Sequence, residues 1–156
     1  MNDLDIQRIF VSPNQPDDAQ LQTWVDAVLN DQTQDSEIVI RIVDNQESAE
    51  LNEQYRHKKG PTNILSFPFE MPDIDGIELN LLGDLVICAP VLEREAVEQH
   101  KKLHDHWAHI VVHGVLHLLG YDHLDDNDAE AMEQQEIAIL KTLNIDNPYI
   151  GRPDHE

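Results

Sequence analysis

The chain is poor in cysteine, in cations and in long apolar runs, and each shortage excludes something. Of 156 residues one is cysteine, Cys88. A lone thiol cannot close an internal disulfide, so a hydrophobic core must hold the fold, and a reducing compartment, most simply the cytoplasm, suits the composition. Lysine and arginine together number 10 against 31 acidic residues, a net charge of −21. A protein that grips polyanions over its whole surface is basic, so tight non-specific nucleic-acid binding is excluded, while a local basic site is not. The most apolar stretch, Ile110 to Gly120, is interrupted by His113 and His117 and falls short of the ~20 residues of a membrane span. The opening residues Met1 to Asp5 lack the basic flank and apolar stretch of a secretory signal. Internal repeats, low-complexity tracts and linker-like composition shifts are also missing. A chain of this length with 40% apolar residues is expected to form one domain, spanning 1–156.

What is present reads as alternating strands and helices, then helices alone. Ile6 to Val11 reads as a first strand, ended by Pro13 and Pro16. Asp17 or Asp18 can cap a helix carrying Leu21, Trp24, Val25, Val28 and Leu29 at helical spacing. Ser36 to Asp44 alternates apolar and polar residues and is rich in β-branched ones, the signature of a strand. Asn45 to Tyr55 reads as a second helix with Ala49, Leu51 and Tyr55 as a thin apolar side, broken by Gly60-Pro61. Thr62 to Phe69 is a third strand, and Pro68, which has no N–H for a ladder, places it at a sheet edge or ends it there. The acidic segment Met71 to Asn80 reads as an exposed connection to a fourth strand, Leu81 to Cys88. Pro90 can open a helix to about Lys101. Asp105 can cap another from His106 to Leu119, and Asp126 or Asn127 a last one through Leu143, with Asn144 as its C-cap. The tail from about residue 146 is polar and expected to fray. The order β-α-β-α-β-β-α-α-α implies a single α+β domain, with a small mixed sheet of about four strands packed with about five helices.

The chemistry concentrates in His113-Gly-Val-Leu-His117-Leu-Leu-Gly120-Tyr-Asp-His123. Residues four apart on a helix lie on one face, so His113 and His117 present both imidazoles together. Gly120 can stop the helix and let the chain return, bringing His123 toward the pair. Three imidazoles form the protein half of a tetrahedral zinc site whose fourth position stays open for water. The bland alternative is chance, given nine histidines. It is opposed by the cost of burying unpartnered imidazoles in an otherwise apolar helix. The offsets match the H-E-x-x-H-x-x-G-x-x-H pattern of metzincin peptidases, except that Gly114 stands where the peptidase has its general base. Zinc binding is therefore expected and peptide hydrolysis is not. His109 shares the helical face of His113 and could act behind the metal. The plainer reading for it, as for His104 and His106, is a solvated surface histidine, and His57, His100 and His155 are read the same way. Asp122 either orients a ligand imidazole or caps the turn.

Three of the ten cations fall in Arg56-His57-Lys58-Lys59, just before Gly60-Pro61. Such a cluster suits a phosphate-contacting corner, but taken alone its plainer reading is compensation of a helix dipole at the C-terminus. Lys101-Lys102 and the acidic run Asp125 to Glu133 read as solvated helix faces and ends.

Arg56 to Pro68, Leu82-Gly83-Asp84-Leu85 and His113 to His123 together resemble the signature segments of the YbeY family of bacterial rRNA-maturation endoribonucleases, in order and spacing, from about Ile38 to Tyr149. The resemblance implies a metal-dependent endoribonuclease specific for single strands, acting in 16S rRNA 3′-end maturation and ribosome quality control. It implies one Zn2+ per chain on His113, His117 and His123, and a functional arginine at Arg56; Lys58 and Lys59 are added as RNA contacts by the charge clustering alone, since His57-Lys58-Lys59 departs from the family pattern. It also implies rRNA and the small ribosomal subunit as partners, ribosomal protein S11 and the GTPase Era among them, and no membrane. Ser66 and Asp84 are candidates for a general base only because motifs flank them, and a strand-end hydrogen bond and a turn are their plainer roles. A zinc hydrolase of another substrate class, or an assembly factor with a mainly structural zinc, remain the alternatives.

Overall fold

The computed structural model describes residues 2–30, 36–69, 81–121 and 125–149. Its elements follow the expected order: β1 (Asp3–Arg8), α1 (Asp18–Val28), β2 (Glu37–Val43), α2 (Asn45–Arg56), β3 (Ile64–Pro68), β4 (Leu81–Cys88), α3 (Ala89–Glu98), α4 (Leu103–Leu118) and α5 (Asp126–Thr142). The four strands form one mixed sheet in the order β1-β2-β4-β3. β1, β2 and β4 run parallel, and β3 pairs antiparallel with β4 at the edge, where Pro68 lies opposite Gly83. An edge place is what proline's missing N–H requires.

Because side chains alternate across a strand, the sheet separates two cores. Ile38, Ile40, Ile42, Ile64, Leu85 and Ile87 face a large core shared with Leu21, Trp24 and Val25 of α1, Val111, Val112 and Val115 of α4, and Met132 and Leu140 of α5. Val43, Leu65, Val86 and Cys88 form a smaller core on the other face with Val91, packed by Leu51 of α2 and by Phe67. Helices α2 and α4 therefore lie on opposite faces of the sheet.

Several boundaries differ from the sequence reading, each for a physical reason. β1 begins at Asp3, whose N–H donates to Ser36 O at 2.9 Å, and it ends before Ile9, because Ile9 and Phe10 both donate to Ile42 O. Ile9 and Val11, read as strand, are exposed. The buried side of α2 is Ser48 and Asn52, and Tyr55 is exposed. Two polar residues can be buried there because each has a partner: Ser48 Oγ donates to Thr62 O and accepts from Thr62 N, and Asn52 donates to Gly60 O at 2.9 Å. Helix α4 starts at Leu103, so Asp105 lies in its first turn and the N-cap position falls to Lys102. Asp125 caps α5 by accepting from Asp128 N at 2.8 Å. Of the tail read as frayed from about residue 146, residues 150–156 lie outside the described ones; within the rest, Tyr149 N donates to Asn147 Oδ1 at 2.8 Å.

Candidate functional site

Helix α4 is buried along most of its surface, with Trp107, Ala108, Val111, Val112 and Val115 fully so. One polar stripe interrupts it. His106, His109, His113 and His117 follow at helical spacing, with successive ring centroids 6.4, 6.3 and 4.6 Å apart. The helix ends as its sequence required. Gly120 has φ +106, its N–H donates to His117 O, and Tyr121 N donates to Leu116 O. That paired closure is a Schellman motif, which only a residue at ease with positive φ completes without strain. It turns the chain directly after His117. His123 and Asp122 lie outside the described residues.

His113 and His117 are brought together through their Nε2 atoms, 3.2 Å apart. Two nitrogens held tetrahedrally at about 2.0–2.1 Å from one zinc ion stand roughly 3.3 Å apart, so the pair already has the spacing such an ion demands. The other nitrogen of His113 is fixed from behind: Nδ1 donates to Glu136 Oε1 at 2.5 Å. That bond places the proton on Nδ1 and leaves a lone pair on Nε2, the tautomer a metal needs. The His113 side chain keeps 21% exposure, so the pair is reachable from solvent. Among the described residues no group of three or more potential ligands gathers around one point.

Glu136, on α5, is 0% exposed. Its second oxygen accepts from His109 Nε2 at 3.2 Å and from the Tyr149 hydroxyl. Burial by itself pushes this carboxyl up, but hydrogen bonds from His109 and His113 outweigh it and hold the group well below the ordinary carboxylate range. For His109 burial dominates, and its imidazole is held below the ordinary value despite Glu136. His109 Nδ1 is buried without a partner among the described residues, which fits a neutral ring donating through Nε2. His106 is likewise no surface residue. It is 3% exposed and pairs through Nε2 with Glu95 at 2.9 Å, a carboxylate that also accepts from Asn63. Of the three α4 histidines read as solvated, only His104 is so placed; His57 and His100 are exposed as read, and His155 lies outside the described residues.

Sequence reasoning missed Glu136 and Tyr149. A signal was present for the first: Met132, Glu136 and Leu140 recur every four residues, so a glutamate stands on the buried stripe of α5. Nothing in the local sequence marks Tyr149.

Gly114 is more than an absent base. A Cβ there would lie 2.4 Å from Ile64 Cδ1 and 2.9 Å from Leu85 Cδ2. The position faces the sheet, so glycine lets α4 settle onto β3 and β4, and a glutamate would have to push the Ile64 and Leu85 side-chain ends aside and bury its carboxylate among them. Ser66 Oγ donates to Gly114 O at 3.4 Å and braces the same contact. Asp84 is exposed and pairs in register with Val39 and Phe67, on the face away from α4.

Arg56, Lys58 and Lys59 are exposed, and among the described residues none makes a side-chain hydrogen bond or ion pair. Arg56 closes α2, and His57 follows in the left-handed conformation at φ 57. The turn they begin is fastened at Gly60 and Thr62 by Asn52 and Ser48. The backbone of this corner is fixed while its cations stay unengaged. The described contacts do not bring Arg56 to the imidazole pair.

A histidine pair at metal spacing, backed by a buried carboxylate above a mixed sheet, is built like the protein half of a metallohydrolase site. The comparisons with known proteins make the class specific. Residues 10–144 match the family model described as Endoribonuclease YbeY. Proteins of that name from Alteromonas mediterranea and Methylococcus capsulatus are 55% and 56% identical, over 94% and 96% of this chain and 95% and 96% of theirs. That from Colwellia psychrerythraea is 53% identical over 94% of this chain and 96% of its own. The solution structure of TM1509 from Thermotoga maritima has the same fold, with a TM-score of 0.56 at 20% identity, covering 98% of this chain and 99% of that one. The chain belongs to the YbeY family of endoribonucleases, a family of metal-dependent nucleases that act on RNA. Among the described residues no helix is long and apolar enough to cross a membrane.

Proposed function

We propose that this endoribonuclease cuts single-stranded RNA with one zinc ion held by His113, His117 and His123, and that it acts in the cytoplasm in 16S rRNA 3′-end maturation and ribosome quality control. The observation that carries the reading is the Nε2 pair of His113 and His117 at 3.2 Å, with Glu136 behind it. When bound, such an ion supplies Lewis-acid polarisation of a phosphoryl oxygen and lowers the pKa of a coordinated water. The chain's own residues do the rest. His113 and His117 offer lone pairs, and Glu136 keeps the His113 proton on Nδ1. Arg56 binds substrate phosphate through its planar fork, with Lys58 and Lys59 beside it.

The chain's charge of −21 shapes how substrate arrives. Three clustered cations support about three phosphate contacts, too few for long-range capture of free RNA. The small ribosomal subunit is therefore the proposed holder of the substrate, raising its local concentration. Ribosomal protein S11 and the GTPase Era are the candidate protein partners. A peptidase role is disfavoured because position 114 is glycine and faces the sheet, so it offers no base.

The test is cleavage of a single-stranded RNA by metal-analysed wild-type and His117→Ala protein. Wild type is expected to carry one zinc and cut. The variant should lose the zinc and about 10³-fold in rate, matching the several kcal/mol a Lewis acid contributes. A zinc-free variant that cuts at the wild-type rate would remove the metal from the reaction.

A further inference from the structure

Glu136 stands between two apolar side chains on α5, Met132 and Leu140, all three fully buried. A buried carboxylate without partners is too costly to persist. This one has donors on both oxygens, drawn from α4 and from the segment after α5. Oε1 takes His113 Nδ1 from α4. Oε2 takes His109 Nε2 from the same helix and the hydroxyl of Tyr149 from the segment after α5. Tyr149 also stands 3.2 Å from His109 Nε2, and the two rings meet edge-on at 5.4 Å. With Oε2 held by two donors the carboxylate cannot rotate, and Oε1 stays aimed at His113. Tyr149 lies beyond residues 10–144, the part matched to the family model.

We propose that Glu136 is a positioning residue for the metal-facing imidazole of His113, and that Tyr149 latches Glu136, so that the C-terminal segment sets the affinity of the site for its metal. The proposal rests on the reading of His113 as a ligand. An anionic acceptor on Nδ1 fixes the tautomer and the ring plane, and outer partners of this kind are commonly worth 10- to 100-fold in metal affinity.

The experiment measures the zinc dissociation constant of the full chain by competition with a chromophoric chelator. It compares wild type with Glu136→Gln, Tyr149→Phe, the double variant and His113→Ala, with circular dichroism of each metal-free protein. Glu136→Gln is expected to weaken zinc about 10- to 100-fold. Tyr149→Phe should weaken it several-fold while leaving the metal-free spectrum unchanged. Because Tyr149 acts through Glu136, the double variant should be no weaker than Glu136→Gln alone, a coupling that a general loss of stability would not produce. If Glu136→Gln fails to fold, Tyr149→Phe alone decides the matter. Wild-type zinc affinity in Tyr149→Phe, or additive losses in the double variant, overturns the latch. If His113→Ala loses zinc while Glu136→Gln keeps it, positioning fails and the ligand reading stands. If His113→Ala itself binds zinc as wild type does, the ligand reading fails first.

Discussion

The α4–α5 corner and the Arg56–Lys59 corner are opposite solutions to holding charge in one small domain. In the first, Glu136 is buried, His109 and His113 are half-buried, and the carboxylate accepts from both before any ligand arrives. In the second, three cations stand in solvent on a pinned turn and have no partners among the described residues. The two also belong to helices on opposite faces of the sheet. A preorganised imidazole pair suits a metal, which tolerates little error in ligand geometry. Free cations suit a flexible phosphodiester backbone, whose contacts form only when it binds. Changes in the first corner should therefore act on metal content and stability, and changes in the second on RNA alone.

The sharpest way to break that division is at Gly114. Glutamate there, which would complete the peptidase motif, should destabilise the fold severely, because its Cβ displaces the side-chain ends of Ile64 and Leu85 and its carboxylate would be buried against the sheet. The milder Gly114→Ala should cost about 1–3 kcal/mol by overpacking, read by urea unfolding of the metal-free protein. A Gly114→Glu protein that folds and hydrolyses peptides would mean that position 114 faces the site.

Arg56→Ala should lower RNA cleavage by roughly 10- to 100-fold, the worth of about 1.5–3 kcal/mol for a charged hydrogen bond. Zinc content and melting temperature should stay at wild-type values, since the side chain holds nothing in the fold. Arg56→Lys should be impaired as well, because a point charge does not replace a bidentate fork. An Arg56→Ala protein that is destabilised but fully active per folded molecule would return Arg56 to the role of a helix-end cation.

A smaller effect concerns salt. With about three phosphate contacts, log affinity of cleavage-dead His117→Ala protein for free single-stranded RNA should fall with log salt at a slope near −2. A slope near −4 or steeper, with tight binding, would show that the isolated chain captures RNA without a carrier.

The smallest effect is on stability against pH. His109 has a lowered value in the fold, so the neutral ring contributes stability fully above the ordinary histidine value of about 6.5, and this is lost as pH falls. Glu136 is also lowered, so its contribution persists above about 4.3 and is lost only in stronger acid. Metal-free protein should therefore lose stability in two stages, first below neutrality and again in acid. His109→Gln should flatten the first. A stability that rises from pH 7 to 5 would contradict the burial of neutral His109.

Much of this was legible in the residues. The order of nine elements follows from periodicity and from prolines and glycines between segments. The edge position of β3 follows from Pro68, and the facing of His113 and His117 from their spacing. What was not legible is tertiary. The start of β1 at Asp3 is set by pairing with β2, which overrides the apolar letters of Ile9 and Val11. The buried side of α2 is polar because its partners, Gly60 and Thr62, come from the chain beyond it. His106 and His109 read as surface residues because their carboxylates, Glu95 and Glu136, arrive from other helices. Tyr149 was hidden for the same reason: a tail looks idle until the group it meets is known.

The most direct test of the account is to strip the protein of metal and return zinc in known amounts, following cleavage of a single-stranded RNA after each addition. The account predicts no cutting at zero zinc, a linear rise, and a plateau at one equivalent per chain. Full activity in the metal-free protein, or a plateau reached only at two equivalents, would contradict a single zinc held on the histidines of α4 and the turn that follows it.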